Sequence, residues 1–419
     1  MDKRDFLKTA TLGSLGTLPF LTKLEKLIHT TENRQSHTAS NEDFWAKIRQ
    51  DYLLKEDYIN LEGGYYCMTP QPTLERQIEH IRMLNTEASY YMRTVQWENK
   101  KKVTQALAQL VDASPEEIGI TRNTTESLDL IIGGYPWQAG DEALMANQDY
   151  GAMLNQFKMV EKRFGIKAKT IDVPMNPSSD EEVIAAYEKA ITPQTKLLMI
   201  CHIINISGHI LPVKKICEMA HSKGVEVMVD GAHAVGHFEF SLKDLGCDYY
   251  GSSLHKWLSV PLGAGLLYVK QDKIDKIWPL MAEGETAPRD IRRLNHIGTH
   301  PCSTDLTILD AIDYYKVLGP KRKEDRLRYL QNYWVNQVKD LDHVVLNTPE
   351  DPNRSCAIAN VGIKGMKPAE MSKKLLEVYG IWTVAIDRGP IKGCRITPNV
   401  YTSTDELDQF VEALKRLKA

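Results

Sequence analysis

Two apolar runs joined by one amphipathic helix set the strongest constraint on this chain. "KLLMICHI" (196–203) and "VEVMVD" (225–230) are almost unbroken in hydrophobic residues, and "VKKICEMAHSKG" (213–224) between them repeats at helical spacing and stops at Gly. A strand without polar alternation is buried on both faces. A crossover helix between two such strands makes them parallel partners in one sheet. The pattern continues upstream: 99–113 has helical spacing, "EALMA" (142–146) is a short strand, and 155–165 is a helix stopped by Gly. "KAKTIDVP" (167–174) alternates, and 179–191 is a helix whose acidic first turn suits the macrodipole. The expected fold class is α/β, with a mainly parallel sheet covered by helices.

After about residue 305 the texture changes. Long helices over 304–319 and 326–341 precede a strand, helix, strand, strand, helix series that closes with a capped helix from Ser403 or Thr404. This predicts a smaller α+β domain over 304–419, after a large domain over 76–303 and an arm over 45–75. The first residues read differently. "KRDFLK" followed by a weakly apolar run is similar to a twin-arginine export signal with Lys3 in place of the first arginine. Residues 1–28 are therefore expected to be an export-like segment leading to the periplasm, with cytoplasmic residence as the alternative, and the polar stretch 29–44 a linker. The apolar run is too short and too broken to span a bilayer.

Composition narrows the partners. A formal net charge of −3 with no basic stripe speaks against nucleic acid. The seven cysteines (67, 201, 217, 247, 302, 356 and 394) are scattered and unpaired in sequence, which points to neither a disulfide framework nor a metal site.

Chemistry is expected where the parallel strands end. The run "VEVMVD" ends in Asp230, and "YYGSSLHKW" places Lys256 among Ser, Gly and His between apolar segments. A strand-end carboxylate and a lysine held in low polarity suit pyridoxal 5′-phosphate. The lysine joins the cofactor's aldehyde, and the carboxylate pairs with its ring nitrogen. Upstream, "TRNTTESLDLI" (121–131) opens an apolar helix with small hydroxyl residues, a ready anion site. Thr124 and Thr125 are the expected phosphate ligands, with Asn123 in support.

Taken together, "DGAHAVG…DYYGSSLHKW", "TRNTTESLDLI", "MANQDYGAM", "CHIINISGHILP" and "CRITPNVYTSTDELDQF" resemble the class V aminotransferase family of fold type I pyridoxal-phosphate enzymes. That family includes cysteine desulfurases, serine–pyruvate aminotransferases and isopenicillin N epimerases. The resemblance runs from about residue 59 to the end. It implies that Lys256 is the Schiff-base lysine and Asp230 the ring-nitrogen partner. His233 and Asn205 are then near the phenolic oxygen, Ser253 and His255 reach the phosphate, and Tyr150 stacks on the ring. His202 could face substrate, and Arg395 is the clamp for the substrate's α-carboxylate. Gly63 and Gly64 belong to a loop covering substrate, where they let backbone approach it. Thr299, in "HIGTHP", implies a homodimer with shared active sites.

The expected activity is first an aminotransferase. An epimerase or racemase like isopenicillin N epimerase, with Tyr150 or a tyrosine of "ASYYMR" as second proton donor, is the alternative, as is a C–S β-lyase. A protein that binds the cofactor without turnover is the remaining reading. Cys394 sits beside Arg395 on one predicted strand and so faces the opposite side, which disfavours a persulfide-forming desulfurase.

Overall fold

The computed structural model describes residues 19–32, 38–281 and 286–418. The twin-arginine-like stretch lies outside these residues. Among the described residues, the large domain is built on seven strands: β2 (Ile118–Thr121), β3 (Glu142–Ala146), β4 (Lys167–Ile171), β5 (Thr195–Cys201), β6 (Glu226–Asp230), β7 (Tyr249–Ser253) and β8 (Gly265–Val269). Their order is β2-β8-β7-β6-β5-β3-β4. All neighbours run parallel except β8, which is antiparallel to β7 and β2. Strand β1 (Ile59–Asn60) lies outside this sheet.

Period-two alternation divides the core between the two faces. Leu198, Ile200, Val227 and Val229 pack into one apolar cluster, and Leu197, Met199 and Met228 into another. Burial on both sides is what the unbroken apolar runs required. Because β2, β3, β5, β6 and β7 all point the same way, their carboxyl ends share one edge, where the expected site residues emerge.

The smaller domain has an antiparallel sheet in the order β12-β13-β10-β9. Its strands are β9 (Val344–Leu346), β10 (Ala359–Ile363), β12 (Val384–Arg388) and β13 (Ile391–Ile396). Helices Pro320–Val338, Pro368–Tyr379 and Thr404–Arg416 accompany it, the last opened by a capping box on Ser403. Strand β1 pairs in parallel with β11 (Ile381–Trp382), which ties the arm to this domain.

The N-terminal boundaries need correcting. Helix Thr22–Glu32 is part of the folded body rather than an export segment running into a linker. Leu21, Leu24 and Ile28 are buried with Phe44, Trp45 and Tyr314. The polar residues of 29–44 disguise this, because the apolar positions that dock the segment flank them.

Candidate active site

Lys256 follows β7, and its Nζ lies 3.0 Å from His233 Nε2. The partners of His233 settle which atom donates. The Trp257 indole N–H donates to His233 Nδ1 at 3.2 Å. An indole N–H can only donate, so Nδ1 carries no proton and a neutral His233 holds its hydrogen on Nε2. Burial, with the nearby Lys256 and Arg395 charges, pushes His233 well below the ordinary histidine pKa. The Nε2–H therefore donates to Lys256 Nζ, which can accept only as a free amine. Burial, opposed by the Asp230 carboxylate and reinforced by Arg395, lowers Lys256 to about 8. Geometry and desolvation thus both favour the nucleophilic form of the amine.

A second histidine extends the chain. The Ala357 N–H donates to His237 Nε2 at 3.0 Å, so the His237 hydrogen sits on Nδ1 and bonds the His233 carbonyl at 2.8 Å. His237 also stacks on Trp257, with ring centroids 3.8 Å apart. Trp257 and His237 act through His233, and the sequence reading missed both. A donor-only indole next to the lysine was the available signal.

Asp230 ends β6 and is buried, and its carboxylate accepts from Ala232 N–H at 3.0 Å. Burial raises its pKa, opposed by that N–H and by Lys256. After β3, the buried Asp149 accepts from Ala146 N–H at 2.8 Å and from the Cys201 thiol at 3.2 Å. Burial lifts Asp149 to about 7. This turn presents Tyr150, whose ring is 43% exposed at the strand end, as a stacking platform needs.

The expected anion site is the start of the helix Thr124–Gly134. Asn123 caps it by accepting from Glu126 N–H at 2.9 Å, so its role there is support. Ser253 Oγ accepts from Thr124 N–H at 2.9 Å and lies 2.7 Å from Thr124 Oγ1. Thr125 is partly exposed at the first turn. Gly265 on β8 passes so close that a Cβ there would lie 2.6 Å from Asn123 N.

Among the described residues expected at this site, Asn205 and His255 each have a buried polar atom without a protein partner, Asn205 Oδ1 and His255 Nδ1. Burial and Lys256 hold His255 at about 4, so its ring is neutral. Orphaned polar atoms of this kind are costly unless a ligand meets them. With the strand-end carboxylate, free amine and hydroxyl-lined helix start, they fit a phosphorylated pyridine.

Three expectations change. His202 is not presented to substrate: its buried ring lies edge-on to Phe238 and Phe240, and its Nδ1 is 3.0 Å from Tyr250 OH. Gly63 and Gly64 serve an approach to Thr397 rather than to substrate: their N–H groups donate to Thr397 O at 3.1 Å and Thr397 Oγ1 at 2.9 Å. A Cβ on Gly64 would lie 2.8 Å from Thr397 Cγ2. Arg395 is buried, but its fork already holds Glu62, a residue the sequence reading passed over. Nε donates to Oε2 at 3.1 Å and Nη2 to Oε1, while Nη1 reaches the Asn205 carbonyl at 3.3 Å. Thr299 is exposed on the surface of the chain. Tyr91 of "ASYYMR" is buried and its OH accepts from Asn99 Nδ2 at 3.2 Å, whereas Tyr90 is exposed. A separate cavity of about 740 Å³ is lined by Arg49, Tyr52–Ile59, Gly380 and Glu406, and none of the residues around Lys256 lines it.

An open α/β sheet that holds a buried lysine, its pKa lowered to about 8, just past a strand end defines a class, the fold type I pyridoxal 5′-phosphate enzymes. Comparison with known proteins agrees and goes further. The chain belongs to the aminotransferase class-V family, whose model matches residues 67–395. It is 28% identical to an isopenicillin N epimerase from Streptomyces clavuligerus over 394 residues, covering 89% of this chain and 98% of the relative. It is 24% identical to a probable cysteine desulfurase from Xylella fastidiosa over 413 residues, covering 89% and 95%. An apo cysteine desulfurase structure from Thermococcus onnurineus NA1 superposes with a TM-score of 0.78 at 22% identity, over 90% of this chain and 97% of that one. A cystine C–S lyase in complex with cysteine persulfide also gives 0.78 at 22% identity, covering 88% and 99%. These two likenesses show the fold. The protein is a class V pyridoxal-phosphate enzyme.

Proposed function

We propose that the enzyme moves a proton at the Cα of an amino-bearing substrate, with Lys256 as the base, and that its outcome is epimerisation. The carrying observation is the 3.0 Å contact in which His233 Nε2–H faces the Lys256 amine, because a base must arrive unprotonated. Bound pyridoxal phosphate supplies the electron sink that makes such a proton removable. With the cofactor bound, Asp230 would pair with the ring nitrogen and His233 and Asn205 would lie near the phenolic oxygen. Ser253, Thr124, Thr125 and His255 would hold the phosphate, and Tyr150 would stack on the ring. The sequence put aminotransfer first. The extended similarity to isopenicillin N epimerases supports the reverse order.

Sulfur removal through a persulfide is the least supported route. All seven cysteines are buried, and burial pushes the Cys394 thiol up to about 11. The test is incubation of the cofactor-loaded enzyme with candidate substrates in deuterated water. Deuterium at an inverted Cα without keto acid supports the proposal. Keto acid, with a ~420 nm band moving to ~330 nm, indicates aminotransfer instead. Cysteine persulfide, pyruvate and ammonia from cystine indicate β-elimination. Failure of borohydride to trap the vitamer on Lys256 overturns the cofactor role of that residue.

Thr299, by its resemblance, further supports a homodimer, to be read by static light scattering of the holoenzyme. Export through the twin-arginine route is proposed from residues 1–18, and a wholly cytosolic full-length product in fractionated cells ends that proposal.

A further inference from the structure

None of the roles above uses a second group of chemically active side chains, gathered at the start of the helix Cys302–Leu318. The ligating atoms of His300, Cys302 and Asp305 lie within 4.8 Å of one another. Met92 adds a thioether, with Sδ 3.8 Å from Cys302 Sγ. Met92 stands far from the other three in the chain, so the sequence showed no metal-ligand spacing.

His300 carries the first sign of a cation. Its Nδ1 lies 3.1 Å from the Gly298 carbonyl oxygen, and its Nε2 lies 2.8 Å from Asp305 Oδ2. Both partners are acceptors, yet a neutral imidazole has one N–H. A positive charge therefore belongs between ring and carboxylate, either a second ring proton or a metal ion. The sulfurs favour the ion. Two sulfurs bound at about 2.3 Å to a tetrahedral metal stand about 3.8 Å apart, which is the spacing of Cys302 and Met92. Nε2 and Oδ2 need to part by only about half an ångström to share the same ion. The Gln96 side-chain N–H donates to Cys302 Sγ at 3.1 Å, a contact that suits a thiolate. The other polar neighbour of the thiol, the His300 carbonyl at 3.4 Å, meets only a proton that metal binding releases.

The backbone is strained where it brings Met92 to this place. Ala88, inside the helix Gln71–Tyr90, has φ 47° and ψ −125°, and the π-helical turn Tyr91–Val95 follows. Both features are costly and gather at functional sites.

Charge selects the ion. Lys100 Nζ is 4.0 Å from Asp305 Oδ2. That ammonium, the carboxylate and a Cys302 thiolate together leave one negative charge. A monovalent ion cancels it, whereas a divalent ion leaves an uncompensated buried charge. Thiolate, thioether and imidazole are also donors that suit cuprous copper.

We propose that Met92, His300, Cys302 and Asp305 form a binding site for a cuprous ion, whose uptake releases the Cys302 thiol proton to solvent. The site is independent of the Cα chemistry proposed above.

The test titrates the full-length, cofactor-loaded protein without oxygen against Cu+ held by the chromogenic chelator bicinchoninate. One Cu+ per chain should pass from chelator to protein, and copper X-ray absorption should show sulfur ligation near ~2.3 Å. Cys302→Ser should weaken retention by at least the ~100-fold that loss of an outer partner can reach, and Met92→Leu by ~10-fold. Met92→Leu conserves volume, and the cofactor absorbance of each variant reports its folding separately. Less than one Cu+ retained per chain, undiminished binding in Cys302→Ser or in Met92→Leu, or displacement of Cu+ by an equal concentration of Zn2+ overturns the inference.

Discussion

Replacing Trp257 by Phe tests the proton arrangement at the centre of the site. The indole N–H is the group that keeps a hydrogen off His233 Nδ1. Phe preserves a flat ring stacked on His237 but offers no donor. His233 Nδ1 then becomes free to carry the ring hydrogen, and Nε2 can accept from a Lys256 ammonium. One hydrogen bond gained by the charged form is worth about 1–1.5 kcal/mol, and 1.36 kcal/mol corresponds to one pKa unit. Lys256, now at about 8, should therefore rise by roughly one unit. At pH 8 the free-amine fraction drops from about one half to about one tenth, so attachment of pyridoxal phosphate should slow ~5-fold. Above pH 10 the two proteins should converge. The assay is the pH dependence of cofactor attachment to apo-protein, followed at ~420 nm, with nitrogen-15 shifts of His233 to read its tautomer. An unchanged or lower lysine pKa, or a His233 that keeps its hydrogen on Nε2 in the variant, refutes the reasoning.

Two further perturbations follow from the same geometry. In Gly265→Ala the new Cβ would meet Asn123 N at 2.6 Å and Thr121 Oγ1 at 2.6 Å, so the turn that opens the anion site must move. Overpacking of about 1–3 kcal/mol corresponds to a ~5- to 150-fold loss of cofactor affinity in an absorbance titration. In His202→Phe a buried imidazole held at about 3 is removed. Its folded pKa lies below its unfolded value, so the unfolded chain takes up a proton between pH 6.5 and about 3 while the native protein does not. The residue therefore costs stability as pH falls through that window, by up to ~1.4 kcal/mol per pH unit. Denaturant titrations should show the variant gaining on wild type as pH drops below 6.5. A constant difference across that range rejects the buried neutral assignment.

Much of this protein was legible along the chain because local pattern and global role coincide there. Apolar strands buried on both faces leave an unbroken signature, as in 196–203, and so does the strand-end placement of Asp230 and Lys256. The hydroxyl-rich start of the helix at Thr124 advertises an anion site within a few residues. Glu62, His237 and the buried position of His202 were not legible, since their meaning lies in partners distant in sequence. Glu62 meets Arg395 only because β1 pairs with β11 and Glu62 bridges to Thr397, which bring the arm against the small domain. His202 follows β5, where a site residue is expected, but Phe238, Phe240 and Tyr250 enclose its ring.

By itself the sequence determined the α/β architecture, the family and the cofactor, because periodicity and strand-end chemistry are properties of short stretches. Only the tertiary structure decided the proton on His233, the lowered pKa of Lys256 and the Glu62–Arg395 ion pair. Those depend on which donors and charges stand within about 3 Å of one another once solvent is excluded, and no local pattern of residues encodes that distance.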